Sequence, residues 1–301
     1  MSKRTLIHIG MPKSGSTWLQ RQLFKPANGY ANRYGPLESN LAFIAPRSFQ
    51  WSLPQQLEKL KSAGDRVPVI SGETLAGNPL TGGADAEMIL HRLKQALPDA
   101  NILIVIREQN SMLRSLYQLL VNWGSPYNLK TLLEPALPGN TPRFNPQYLC
   151  YDHLIQAYQS AFGKERVLTL PYEDFALDAD RFVQAINRFA GVDCEQFPTE
   201  VDAGKIVNRG RSLASLEIKR WYNRFVARTA FDLRGVYTPR KIHGSGNYSP
   251  WVPQRVNEWQ ERRFRHIVKH SLGDYYAASN QRTQSLTGLD LSAAGYDLNE
   301  P

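Results

Sequence analysis

The run Gly10-Met11-Pro12-Lys13-Ser14-Gly15-Ser16-Thr17-Trp18 follows directly on the apolar stretch Leu6-Ile7-His8-Ile9. A short β-prone run that ends in a glycine loop and then enters a helix-compatible segment, Thr17 to Phe24, predicts a strand, loop and helix. In that unit successive backbone N–H groups cradle a phosphate at a helix N-terminus, which makes this loop the chain's candidate anion site. A nucleoside-triphosphate loop of the form G-x-x-x-x-G-K-[ST] would carry lysine where this chain has Ser16. The lysine here stands three residues earlier, at Lys13, inside the loop. From there it can reach the bridging oxygen beside a terminal group, while Ser16 and Thr17 offer hydroxyls and N–H donors to a single phosphate. The lysine–hydroxyl pair that holds phosphate and magnesium in kinases is missing. An ordinary strand-to-helix turn is the plain alternative, and it does not account for glycine, lysine and hydroxyls all falling at phosphate-binding places.

Other strands can be placed by their apolar runs. Val67-Pro68-Val69-Ile70-Ser71-Gly72-Glu73 reads as a second buried strand whose polar end, Glu73, lies where ligands bind in parallel α/β sheets. Asn101 to Ile106 is the clearest buried strand and ends in Arg107, a cation where a magnesium-dependent enzyme would place an aspartate nearby. Arg166 to Leu170 is the fourth, followed by Pro171-Tyr172-Glu173-Asp174-Phe175. Helices are expected over Ala84 to Leu97, from Leu113 to Val121, from Tyr151 to Phe162 and around Phe182, Ile186 and Phe189. Ala27 to Arg66, aromatic and rich in proline, is expected to pack as loops and short helices over the site, and Val121 to Pro146 as a functional lid. From Asp202 onward strand signals stop, and helices are expected over Ser212 to Arg228, Pro253 to His270 and Asp274 to Arg282. The fold class that follows is α/β: one three-layer, P-loop-like domain over residues 1–301, with a central parallel sheet of four or five strands in an α/β core over 1–200 and a mainly helical C-terminal cap over 201–301.

Composition adds limits. An apolar content of 42% suffices for a packed core, and 36 basic against 27 acidic side chains give a net charge of +9, which favours an anionic partner. The two cysteines, Cys150 and Cys194, show neither a C-x-x-C spacing nor histidine neighbours, so no metal and no disulfide framework is expected. The apolar run after Lys3 and Arg4 is too short for a signal peptide, and no window approaches the ~20 apolar residues of a membrane span, so a cytoplasmic protein is expected.

P-K-S-G-S-T-W followed by Leu19-Gln20 resembles the 5′-phosphosulfate loop of sulfotransferases that use 3′-phosphoadenosine 5′-phosphosulfate. I-R-E-Q-N-S-M-L-R-S-L-Y is the second point of resemblance, because those enzymes bind the 3′-phosphate through an arginine at this strand end and a serine eight residues on, here Arg107 and Ser115. The family often has proline where this chain has Gln109. Tyr172-Glu173-Asp174 is similar to the family's Y-E-D segment, with the tyrosine near the adenine, and Trp18 matches a tryptophan that stacks on adenine in cytosolic members. Both aromatic residues read equally well as core. Arg209 and Gly210, in Val207-Asn208-Arg209-Gly210-Arg211-Ser212, could supply the late basic loop of the 3′-phosphate site; the glycine-rich stretch Arg234 to Trp251 competes for that role. The closing Y-Y-A-A-S-N-Q-R-T ahead of Gly295-Tyr296 resembles the ending of many bacterial members.

The resemblance implies a soluble bacterial transferase whose donor loop is Lys13, Ser14, Gly15, Ser16 and Thr17 with Trp18, and whose acceptor is a hydroxyl on a sugar or glycolipid. Carbohydrate sulfotransferases are similar in using a carboxylate base near the sheet edge, which points to Glu73, with Lys13 taking the leaving charge. Hormone and phenol enzymes use a histidine instead, and His243, His266 and His270 cannot be placed from sequence. The rival readings are a P-loop kinase or NTPase and a basic non-enzymatic module for nucleic acid or for peripheral contact with a membrane. Neither accounts for Lys13, Arg107 and Ser115 together.

Overall fold

The computed structural model describes residues 3–46, 49–53, 64–134, 144–197, 212–227, 236–237 and 252–299. Its centre is a five-stranded sheet of β1 (Leu6–Gly10), β2 (Tyr30–Tyr34), β3 (Val67–Ser71), β4 (Asn101–Ile106) and β5 (Val167–Pro171), in the order β2-β3-β1-β4-β5. Every pairing is parallel. In β1, β3 and β4 each residue is buried, and this is why these strands read as unbroken apolar runs rather than as alternating ones. The chain leaves β1 toward β3 and β2 and crosses to β4 on the other side, so the crevice beyond β1 and β4 is a switch point of the topology. The pairing of β1 with β4 shifts register between His8 and Gly10 and continues one step past the strand, where Met11 N–H donates to the Val105 carbonyl at 3.2 Å.

Helices fill the connections: α1 (Ser16–Trp18), which continues as a π-helical turn over Leu19–Leu23, α2 (Pro36–Ser39), α3 (Ala86–Ala96), α4 (Gln109–Asn122), α5 (Leu129–Leu133), α6 (Tyr151–Phe162), α7 (Tyr172–Leu177) and α8 (Ala179–Ala190). The late chain contributes α9 (Leu213–Phe225), α10 (Gln254–Leu272) and α11 (Ala277–Thr287). Two expectations need correction. The stretch 27–66 holds α2 and a π-helical turn over Asn40–Ile44, but it also holds β2, the edge strand of the sheet. The sequence does not announce β2, because Tyr30-Ala31-Asn32-Arg33-Tyr34 has no apolar run; it is fixed by pairing to β3 and by Tyr30 and Tyr34, both buried. Nor do strands stop at Asp202, since β6 (Val226–Ala227) and β7 (Val236–Tyr237) form a short parallel pair.

By proximity of its residues the chain divides into two compact units, one of residues 1–109, 141–207 and 276–301, the other of 110–140 and 208–275. In the first, α8 lays Phe182, Val183, Ile186 and Ala190 against Leu103 and Val105 of β4, Leu6 of β1 and the aromatic group Trp18, Phe24 and Tyr30. Each such large side chain contributes about 1.5–3 kcal/mol by leaving water. Asp178 caps α8 by accepting from Arg181 N–H at 2.9 Å, and Gly191, at φ 72°, ends it in the left-handed turn that glycine adopts without strain. α11 is tied to α6 through buried Asp152, which accepts from the Ser279 hydroxyl and, at 2.6 Å, from Arg282 Nε. In the second unit Glu217 of α9 accepts from the Tyr117 hydroxyl of α4 and from Arg220 at 2.8 Å, while Asn223 donates to the carbonyls of Val121 and Ser125.

Candidate functional site

The loop after β1 is shaped by three residues with positive φ: Gly10 at 89°, Lys13 at 68° and Gly15 at 85°. Two are glycines for steric reasons. A Cβ at Gly10 would stand 2.7 Å from the backbone Cα of Glu73, and one at Gly15 would stand 3.1 Å from the ring of Tyr172. Lys13 is the one non-glycine at positive φ among the described residues, a conformation that costs roughly 1–2 kcal/mol for a residue with a Cβ. The loop holds itself: the Met11 carbonyl accepts from the hydroxyls of Ser14 and, at 3.5 Å, Ser16. Trp18 and Leu19 donate back to the Gly15 carbonyl, which leaves Gly15, Ser16 and Thr17 as the first amides of the helix, without helical acceptors. Lys13 and Thr17 are half-buried, Ser14 and Ser16 buried. Among the described residues the Lys13 ammonium has no hydrogen-bond or ion-pair partner.

Beneath the loop His8 is fully buried, its Nδ1 2.8 Å from the Ser71 hydroxyl, which also accepts from Gln20 Nε2 at 3.0 Å. Burial lowers the His8 pKa to about 3, so the ring is neutral, and its Nε2 has no hydrogen-bond partner among the described residues. His8 thus joins β1, β3 and the first helix as a core residue.

Two further strand ends converge on this loop. The turn that follows β3 is sewn to β1 by Gly72 N–H to the His8 carbonyl (3.1 Å) and Ala76 N–H to the Ile9 carbonyl (3.0 Å). That puts the backbone of Glu73 against Gly10; its side chain is half-buried, and no partner for its carboxylate is found among the described residues. At the end of β4, Arg107 Nη1 donates to the Lys13 carbonyl at 2.8 Å, and its guanidinium lies 5.0 Å from the centre of the Tyr172 ring. Lys13, Gly15, Glu73, Arg107 and Tyr172 are therefore brought together at the carboxyl end of the sheet.

Several residues that sequence reasoning did not assign hold the Arg107 turn. The Tyr151 hydroxyl donates to the Arg107 carbonyl at 2.6 Å, and Glu173 Oε1 accepts from Glu108 N–H at 3.1 Å. Tyr296, buried near the chain's end, donates to Glu173 Oε2 at 3.3 Å. Burial raises the Glu173 pKa, opposed by its hydrogen bonds and by Arg107; burial likewise raises that of Tyr296. Gln109 is buried and donates to Asn280 Oδ1 at 2.6 Å. The only sequence signal for these contacts was that Glu173 and Tyr296 stood inside motifs already singled out.

The remaining expected site residues are Trp18, Ser115, Arg209 and Gly210. Trp18 is 5% exposed, its ring 4.5 Å from that of Phe175 in the core. Ser115 is half-buried on α4, in the part of that helix counted with the second unit. Arg209 and Gly210 lie outside the described residues, as do 234–235 and 238–251 of the competing stretch. No cluster of three His, Cys, Asp or Glu side chains suited to a metal occurs among the described residues. No described helix is long and apolar enough to cross a membrane.

A parallel sheet with a glycine loop, a helix N-terminus and cations at its switch point defines a P-loop-like α/β protein built for an anionic ligand. Residues 87–196 match the model of the sulfotransferase family, a stretch that includes Arg107, Ser115 and Tyr172 and leaves out the loop after β1. Over that stretch, little more than a third of the chain, it is similar to the sulfotransferase family. Among solved structures, a sulfotransferase from Alicyclobacillus acidocaldarius shares the fold at 17% identity and a TM-score of 0.59, over 97% of this chain and 99% of that one. The mouse sulfotransferase SULT7A1 complexed with PAP aligns over 95% of this chain and 90% of that one, at 14% identity and a TM-score of 0.40. No curated protein sequence matches the chain significantly.

Proposed function

We propose that the enzyme moves a sulfuryl group from 3′-phosphoadenosine 5′-phosphosulfate to a hydroxyl of a carbohydrate or glycolipid. The observation that carries this reading is the 2.8 Å bond from Arg107 to the Lys13 carbonyl. It joins a loop suited to a 5′-phosphosulfate to a cation suited to a 3′-phosphate, the two anionic ends of one nucleotide. The loop amides, Ser14, Ser16 and Thr17 take the 5′ end; Arg107, with Ser115, takes the 3′-phosphate; Tyr172, under the guanidinium, takes the adenine side. Trp18 contributes from the core by setting the first helix against Phe175. Arg209 and Gly210 are the proposed late loop of the 3′-phosphate site.

In the reaction the acceptor oxygen bonds to sulfur as the bond from sulfur to the bridging oxygen breaks, and the acceptor's proton passes to Glu73. The charge that develops on the bridging oxygen faces the Lys13 ammonium and the loop amides. The Glu73 carboxylate and the Lys13 ammonium, without partners among the described residues, suit those two tasks. The carbohydrate preference rests on the carboxylate base and on the basic charge of the chain, which favours an acidic acceptor.

Calorimetric titration tests this. 3′-Phosphoadenosine 5′-phosphate binds without metal and more tightly than ATP–magnesium, and Arg107→Ala weakens it about 10- to 100-fold, the range for losing a charged hydrogen bond. Preference for ATP–magnesium, or indifference to Arg107→Ala, overturns the reading.

A further inference from the structure

We propose that Glu173 and Tyr296 are positioning residues for Arg107, so that the closing segment of the chain sets the geometry of the 3′-phosphate site. This rests on the reading that Arg107 takes the 3′-phosphate. Arg107 stands where β4 ends, and the strand ladder no longer fixes its backbone there. What fixes it is a set of side chains on either side of one peptide group: Tyr151 donates to the Arg107 carbonyl, and Glu173 accepts from the next amide, Glu108 N–H. The guanidinium then reaches over Tyr172, the residue directly before Glu173, to the Lys13 carbonyl. A shift of that peptide would therefore move the guanidinium away from the loop.

Glu173 does this work only if its carboxylate stays turned to the backbone. It is half-buried beside a guanidinium, and a carboxylate free to rotate would fold onto that cation and compete with an anionic ligand. Tyr296 prevents the rotation by occupying Oε2 while Oε1 holds the amide. Tyr296 is itself held. It is buried, its N–H donates to the Leu291 carbonyl at 3.0 Å, and the Asp297 carbonyl next to it accepts from Asn280 Nδ2 at 2.8 Å. Asn280 is also the partner of Gln109, two residues after Arg107. The chain's close thus grips the Arg107 turn at two points, which gives the Y-Y-A-A-S-N-Q-R-T and Gly295-Tyr296 motifs a task.

The test compares the full chain's affinities for 3′-phosphoadenosine 5′-phosphate and for adenosine 5′-phosphate, by titration with displacement for the weaker ligand. Their ratio reads the 3′-phosphate contribution alone. Glu173→Ala lowers the ratio about tenfold and Tyr296→Phe about threefold, as expected for loss of hydrogen bonds that aim a charged group. Glu173→Gln, which keeps an acceptor for Glu108 N–H, recovers part of the loss. A merely structural role gives another pattern: both ligands weaken alike, or the melting temperature falls with the ratio unchanged, and either result overturns the proposal. Should Glu173→Ala not fold, Tyr296→Phe, which removes one oxygen, decides by the same criterion. Arg107→Ala separates the two layers: if it leaves the ratio unchanged the assignment of the 3′-phosphate fails, whereas a collapsed ratio with unaffected Glu173 and Tyr296 variants sinks the positioning role only.

Discussion

The turns after β1 and after β4 reach the same point by opposite means. The loop after β1 is held from within: Gly10, Lys13 and Gly15 adopt positive φ, and the Met11 carbonyl collects hydroxyl donors from three and five residues on. The turn after β4 is held from outside, by Tyr151, by Glu173 with its partner Tyr296, and by Asn280, which Gln109 of the turn bonds from 171 residues away. A turn held by its own backbone conformation tolerates change in its surroundings and tolerates little in its own residues. A turn held by distant side chains has the reverse sensitivity.

Substitutions at Lys13 are expected to have the largest effect on the reaction and little on the fold. In the proposed mechanism the ammonium faces the developing charge, so kcat should fall roughly 100- to 1,000-fold in both Lys13→Ala and Lys13→Gly. Stability separates the two. Glycine relieves the positive φ at a strain of about 1 kcal/mol and costs about as much in unfolded-chain entropy, so Lys13→Gly unfolds close to the wild type, and Lys13→Ala, which keeps the strain, lies at or below it. Chemical denaturation with steady-state kinetics on the same samples checks this. A Lys13→Gly variant several kcal/mol less stable than wild type would show that the loop depends on outside contacts after all.

The same contrast explains what could be read from the sequence. The loop was legible because its determinants are contiguous, and β1, β3, β4 and β5 were legible because strands in a parallel sheet announce themselves as apolar runs. β2 was not, because Tyr30 and Tyr34 become a strand only by pairing with β3. The rule that ligands gather beyond the carboxyl ends of parallel strands directs Glu73 to the crevice of the loop, but its backbone contact with Gly10 carries no sequence signal. The brace on Arg107 followed no local rule: Tyr151 read as a helix residue and Glu173 as the middle of a motif, and only the fold brings them to one peptide group.

A smaller effect is expected from the foundation under the loop. His8 stays neutral in the folded protein down to about pH 3, whereas the unfolded chain takes up a proton near the ordinary value of 6.5. The folded pKa is the lower one, so the unfolded state binds more protons between these values and stability falls as the pH falls. One such proton amounts to about 1.4 kcal/mol per pH unit, or on the order of 2–3 kcal/mol between pH 6.5 and 4.5. Urea unfolding over that interval should give a slope shallower by about one proton in His8→Gln than in the wild type. Equal slopes would mean that the ring is protonated in place, and that β1, β3 and the first helix are not joined by a neutral histidine.

Tyr151→Phe should give the smallest effect, and it bears most directly on the outside-held turn. The substitution keeps the buried ring and removes the oxygen that donates to the Arg107 carbonyl at 2.6 Å. Losing a neutral hydrogen bond of this kind costs about 1 kcal/mol, so affinity for 3′-phosphoadenosine 5′-phosphate should drop only ~3- to 10-fold. Because the peptide group after Arg107 is gripped from both sides, the loss should depend on the other grip. Tyr151→Phe and Glu173→Ala together should cost more than their separate effects combined, since the peptide is then free to turn. If the two losses simply add, each side chain acts on its own neighbourhood and the turn is held by β4 alone. A coupled loss confined to the 3′-phosphorylated ligand would instead place the control of Arg107 in side chains from α6 and α7, remote in sequence from the strand that carries it.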